Sequence, residues 1–142
     1  MKKPHAAGSD SRTSVPFREG LFAVDAHDAY LIGNRCQQCN QLFFPAKPFC
    51  FSCLSKNMEP SGIGRSGTLY SFTTCHMPSG RFKPPYQVGW IDLQEGVRIF
   101  APLKVRRNQT LEIGMRMELV IDELWREGKS SIIGYKYKPS TK

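Results

Sequence analysis

Cys36, Cys39, Cys50 and Cys53 form two Cys-x-x-Cys pairs with ten residues between them. Each pair can present two thiolates from one tight turn, and the short loop can fold the second pair back onto the first. Four sulfurs around one ion is the ligand set of a structural Zn²⁺. Two other chemistries compete. A lone Cys-x-x-Cys would suit a redox site, but two neighbouring pairs without a βαβ pattern favour metal. Two disulfides would suit a secreted chain, but the sequence opens Met1-Lys2-Lys3-Pro4 with no apolar stretch like a signal peptide. The expectation is one structural zinc ion in a cytoplasmic protein whose thiols stay reduced. Four thiolates leave no coordination position for water or substrate, so this metal is not expected to catalyse anything.

No other group of residues offers catalysis. His5 falls in a polar arm, His27 between Asp25 and Asp28 in a turn, and His76 after a strand-like run. None belongs to a nucleophile or metal motif. Cys75 and His76 are adjacent, and adjacent residues on a strand face opposite sides, so they cannot work as nucleophile and base. Cys75 reads as a buried, inert thiol. Asp92 and the Asp122-Glu123 pair read as turn and surface carboxylates.

The elements that must position the cysteines follow from periodicity. Residues 1–14 mix polar and small types without a period and read as a disordered arm. In the segment 15–33, apolar residues at helical spacing follow Ser14 as an N-cap, with Pro16 in the first turn, which predicts a short helix. An extended stretch near Ala29 to Ile32 then leads to the first cysteine pair. The zinc module, 34–57, is too short to bury a core alone, so metal would supply roughly 10 kcal/mol or more of its folding free energy. Leu42-Phe43-Phe44, between the pairs, must cover either the zinc site or the next module. The Ser-, Pro- and Gly-containing stretch from Glu59 to Gly67 reads as a boundary loop.

Residues 66–139 then read as strand throughout. Period-two alternation marks five runs: Thr68 to Cys75, Tyr86 to Leu93, Val97 to Val105, Met115 to Ile121 and Ile133 to Tyr137. Gln94-Glu95-Gly96 forms a hairpin turn in which Gly96 can take positive φ. Five strands in about seventy residues is the size of an OB-fold barrel. Arg106 to Gly114 is too short for a full helix between the third and fourth strands, so the barrel is a trimmed one. The predicted fold is mainly β. No run approaches the ~20 apolar residues that cross a bilayer, and no membrane partner is expected.

The formal charge is +8, part of which compensates a zinc–tetrathiolate centre that is itself dianionic. Much of the rest lies in Arg81, Lys83, Arg98, Lys104, Arg106 and Arg107, against Asp92 and Glu95. This suits an anionic partner: nucleic acid, an acidic protein face or cofactor phosphates. Phe72, Phe82, Tyr86 and Trp90 interleave with these cations. On an OB barrel such a belt would stack single-strand bases or hold the adenosine of a nucleotide cofactor. Alternatively the rings are barrel core.

Several short motifs in this order resemble one family. They are Leu31-Ile32-Gly33-Asn34-Arg35, the two cysteine pairs with Phe44-Pro45 between them, Gly67-Thr68-Leu69-Tyr70-Ser71-Phe72-Thr73, Pro85 through Leu93 with Glu95-Gly96, and Ile113-Gly114-Met115-Arg116-Met117. Together they resemble the DUF35 proteins, which join a rubredoxin-like zinc ribbon to an OB barrel, and the likeness covers nearly the whole chain after residue 16. It implies an N-terminal helical segment, a ribbon and a barrel. It further implies a non-catalytic partner of a thiolase-like enzyme acting on acyl-CoA thioesters, in which the partner carries the nucleophilic cysteine. The zinc-ribbon protein would order the complex and help to form the coenzyme A channel. The four metal cysteines carry over. No coenzyme A motif does, and Arg81, Lys83, Lys104 and Arg106 are candidates from charge alone. The other readings are a stand-alone acyl-CoA-binding regulator and, with least support, a single-strand nucleic-acid binder.

Overall fold

The computed structural model describes residues 13–24 and 28–140, so most of the arm, His5 and His27 lie outside the described residues. Two sheets are built. In the first, β3 (Ala29–Cys36) is central, with β2 (Phe22–Val24) and β4 (Leu42–Phe43) sharing one of its edges and β5 (Met58–Ile63) paired along the other. In the second, β6 (Ser66–Cys75), β7 (Tyr86–Leu93), β8 (Arg98–Leu103), β10 (Ser130–Pro139) and β9 (Arg116–Glu127) close into a five-stranded barrel, because β9 pairs with both β10 and β6. Closure between β8 and β10 is parallel, with Tyr137 opposite Leu103. All other barrel pairings are antiparallel, and this is OB-fold topology. The expected turn is present, with Gly96 at φ 97°.

The predicted N-terminal helix is not there; no helix occurs among the described residues. Residues Thr13–Pro16 form β1, which runs parallel to β10 from Ser130. Val15 favours extended backbone, and Pro16 lacks a donor that an edge strand does not require. The apolar spacing taken for a helical face is used differently. Phe17 packs edge-on to Tyr135 at 5.9 Å, and Phe22 packs against the shared core from β2. A second expectation also fails: the boundary loop is mostly strand β5, paired with β3 from Leu31 to Cys36. Pro60 and Gly62 are compatible with a strand here because β5 pairs on one side only. Gly64 and Arg65 alone separate β5 from β6.

One core spans both sheets. Leu31, Leu42 and Ile63 from the first join Leu69, Ile91, Ile99, Ala101, Leu103, Met117 and Tyr137 of the barrel. Tyr137 is fully buried, and its hydroxyl donates to the Gly64 carbonyl at 2.5 Å. Burial holds that phenol far above its ordinary pKa. The Leu42-Phe43-Phe44 arm serves both expected purposes. Leu42 is buried in the core, Phe44 sits edge-on to Tyr135 of the barrel at 5.7 Å, and Phe43 packs on Phe51 of the ribbon. Among the described residues no helix is long and apolar enough to cross a membrane.

Candidate metal centre and the outer barrel face

Each cysteine pair is carried on a knuckle, and the two knuckles repeat one hydrogen-bond pattern. Where β3 ends, the Asn40 N–H donates to the Cys36 carbonyl; in the second knuckle the Leu54 N–H donates to the Cys50 carbonyl. The residue four after the first cysteine takes the left-handed conformation in both, Asn40 at φ 71° and Leu54 at φ 70°. Asn tolerates that region, whereas Leu pays the Cβ clash. The turns aim backbone N–H groups at sulfur: Gln38 and Cys39 toward Cys36 Sγ at 3.3 and 3.5 Å, Ser52 and Cys53 toward Cys50 Sγ at 3.3 and 3.4 Å.

The knuckles face each other. Cys36 Sγ lies 3.5 Å from Cys53 Sγ and Cys39 Sγ 3.6 Å from Cys50 Sγ, with all four sulfurs within 4.8 Å of one another. A tetrahedral ion with Zn–S bonds of about 2.3 Å separates its sulfurs by about 3.8 Å, so the cluster fits zinc as it stands. Among the described residues it is the one group of His, Cys, Asp or Glu placed to hold a metal. The electrostatics agree. N–H donation from Cys39 draws the Cys36 thiol down to about 6. At Cys53, donation from Ser55 is outweighed by burial and the neighbouring sulfurs, which push it up to about 12. Four thiolates this close cannot all ionise without a cation among them. Cys36 and Cys50 are buried while Cys39 and Cys53 reach the surface.

Asn34 holds the loop between the knuckles, a role invisible in the sequence. It is 7% exposed; its Nδ2 donates to the Lys47 carbonyl at 2.8 Å and its Oδ1 accepts from the Lys47 N–H at 3.2 Å. The side-chain amide thus stands in for a strand partner.

The four basic candidates lie on two loops that leave neighbouring strand ends. Arg81 and Lys83 lie in the β6–β7 loop and Lys104 and Arg106 just after β8, and Gln87 opposite Leu103 sets those ends side by side. Two are already paired: Arg81 with Glu127 at 2.8 Å, and Lys104 with Asp122 at 3.2 Å. Among the described residues Lys83 and Arg106 have no such partner. The aromatic belt divides. Phe72 is half-buried against the core, while Trp90 points outward and packs on Phe100 at 5.1 Å. Cys75 is half-buried rather than fully buried.

The chain is a Cys₄ zinc ribbon that shares its core with an OB barrel. The comparisons with known proteins agree on both halves. The family model for the ChsH2 rubredoxin-like zinc ribbon domain matches residues 28–59, and that for the ChsH2 C-terminal OB-fold domain matches 62–122. A DUF35 domain-containing scaffold protein of Methanothermobacter thermautotrophicus is 32% identical over 78% of this chain and 87% of its own. The benzoylsuccinyl-CoA thiolase subunit BbsA of Thauera aromatica is 42% identical over 57% of this chain and 56% of its own. The solved Ltp2-ChsH2(DUF35) aldolase superposes with a TM-score of 0.66 at 27% identity, covering 79% of this chain and 86% of that one. The chain belongs to the DUF35 family, and its metal is a structural zinc.

Proposed function

We propose that this chain is a non-catalytic, zinc-containing subunit of a heteromeric thiolase-like enzyme that acts on acyl-CoA thioesters. The observation that carries the reading is similarity to BbsA, a thiolase subunit, in a chain whose own chemistry is closed. Cys36, Cys39, Cys50 and Cys53 would ligate the ion and leave no open position for substrate. The Ser131 hydroxyl donates to Glu123 Oε1 at 2.8 Å, but Ser131 is buried within β10 and not offered to a substrate. The ribbon then fixes a rigid surface, and the partner supplies the reacting cysteine.

Within that reading these two basic loops are the candidate contact for coenzyme A. Arg106, with Arg107, Asn108 and Gln109, lines a shallow depression of about 470 Å³, and Lys83 brings a further unpaired cation on the other loop. Arg81 and Lys104 would be weaker contributors, since each already faces a carboxylate. Guanidinium groups suit phosphate oxygens through paired N–H donors.

The test is co-expression with a thiolase-like subunit, followed by co-purification and a thiolysis assay. The expected result is a stable complex, with thiolysis by the complex and none by this chain alone. Thiolysis by this chain alone, or failure to associate with any thiolase-like subunit, would refute the proposal.

A further inference from the structure

The outward face of the barrel breaks the rule by which it was read. On an antiparallel barrel the side chains pointing away from the core are ordinarily polar. Gly89, Ile91 and Leu93 on β7 and Ile99, Ala101 and Leu103 on β8 are buried, which fixes the inward phase. The outward phase contains three facing pairs: Val88 with Pro102, Trp90 with Phe100, and Asp92 with Arg98. Only the last pair is polar, and its charges neutralise each other at 2.5 Å. Trp90 and Phe100 stay 41% and 50% exposed.

Val88, Phe100 and Pro102 of this face, with Tyr86, form the floor of a cleft of about 310 Å³. Its walls are Phe82 from the β6–β7 loop, Leu124 and Trp125 from β9, Tyr135 from β10 and Phe17 beyond β1. The volume lies in the range of small-molecule sites and is about twice the ~150 Å³ that takes up benzene. The walls are braced by contacts among themselves. Trp125 Nε1 donates to Glu127 Oε2 at 3.0 Å, the Arg81 guanidinium lies 5.0 Å from the indole centroid, and Phe82 meets that ring edge-on at 6.0 Å. On the other side Gly134 makes room for the wall. A Cβ there would stand 2.5 Å from Leu124 Cδ1 and 2.7 Å from Phe17 Cδ1.

Charge selects the class of occupant. Among the described residues no charged side chain lines the cleft. Of the described cations around it Arg81, Arg98 and Lys104 each face a carboxylate, while Lys83 beside Phe82 and Arg18 beside Phe17 do not. A single-stranded nucleic acid needs uncompensated cations along its backbone, as well as rings to stack on. This cleft offers rings and an uncharged lining, with no row of cations inside it to track a phosphate backbone. We propose that it receives a neutral aromatic or alicyclic ring, the apolar end of an acyl group whose thioester lies outside the cleft. That source of the ring rests on the function proposed above; the ring site itself does not.

The chain has two tryptophans, so Trp90→Phe leaves Trp125, in the cleft wall, as sole reporter. The zinc-loaded full chain carrying this change is titrated with benzamide, cyclohexanecarboxamide and hexanamide. The expected result is a saturable change in Trp125 emission with both ring amides, at least about tenfold tighter than with the linear amide. Val88→Lys should weaken ring binding by about tenfold or more while zinc content and melting curve hold. If that variant misfolds, the half-exposed Phe100→Ser serves the same purpose. Equal response to ring and linear amides, no saturation, or displacement of the ring amide by a salt-sensitive oligonucleotide would overturn the site. In the complex with a thiolase-like subunit, Phe100→Ser should raise KM several-fold more for benzoyl-type than for hexanoyl-type acyl-CoA. Ring binding by the free chain with no such KM difference would overturn the acyl-group source alone.

Discussion

Asn34→Ala tests whether the metal site depends on a side chain that never touches the metal. The substitution removes two hydrogen bonds to the Lys47 backbone and leaves an N–H and a carbonyl in a part-buried loop without partners. Each bond contributes a net ~0.5–1.5 kcal/mol, so the loss is about 2 kcal/mol. If ordering of the loop and zinc binding are one event, the same quantity appears as metal affinity. At 1.4 kcal/mol per factor of ten, zinc should bind about 30-fold more weakly. The melting temperature of the zinc-loaded chain should fall by roughly 4–8 °C, the shift expected for that energy in a chain of this size. Competition against a colorimetric zinc chelator reads the first, and scanning calorimetry the second. Asn34→Asp keeps the acceptor for the Lys47 N–H but sets a carboxylate against the Lys47 carbonyl, so it should not rescue. A zinc affinity within about twofold of the parent for Asn34→Ala would show that the knuckles are preorganised without this amide, and the reasoning would fail.

Other outcomes follow from the same geometry. Cys50→Ser should abolish stoichiometric zinc by elemental analysis and raise amide exchange throughout β3 and β5, which the knuckles hold together. Leu54→Gly relieves a left-handed leucine, and urea denaturation should show a gain of about 1 kcal/mol. Tyr137→Phe leaves the buried Gly64 carbonyl without its donor and should cost about 1–3 kcal/mol in the same assay. At Asp122 burial raises the pKa, but Lys136 and Lys104 outweigh it and the net shift is downward. A depressed carboxylate stabilises above its unfolded pKa and loses that contribution as pH falls through the folded value. Asp122→Asn should therefore cost up to about 1 kcal/mol at pH 7 and nothing well below pH ~4, since the group is largely solvent-screened.

What the sequence disclosed, and what it hid, divides along physical lines. The cysteine spacing is local, so the zinc site was legible to the residue. The five barrel strands were legible because inward apolar positions recur every second residue, as Ile99, Ala101 and Leu103 do. Strand β5 was hidden because Pro60 and Gly62 are loop-forming residues unless a neighbour pairs them, and β3 is that neighbour. Strand β1 was hidden because Val15, Phe17 and Leu21 fit a helical spacing as well as they fit a strand and a turn. Asn34 was unreadable because its partner, Lys47, is brought to it only by the folded loop. The cleft was half visible. Phe82 and Tyr86 were conspicuous, but whether Tyr86 points in or out depends on a strand phase that the sequence leaves open.

The continuity of Leu31, Leu42 and Ile63 with the barrel interior has a consequence for the life of the protein. Stripping the ion would not leave a sound barrel trailing a loose ribbon, because Leu31, Leu42 and Ile63 share one buried cluster with the barrel interior. A metal-starved chain would bare apolar surface at the very joint where its halves meet, and should be cleaved by protease faster than the zinc-loaded one.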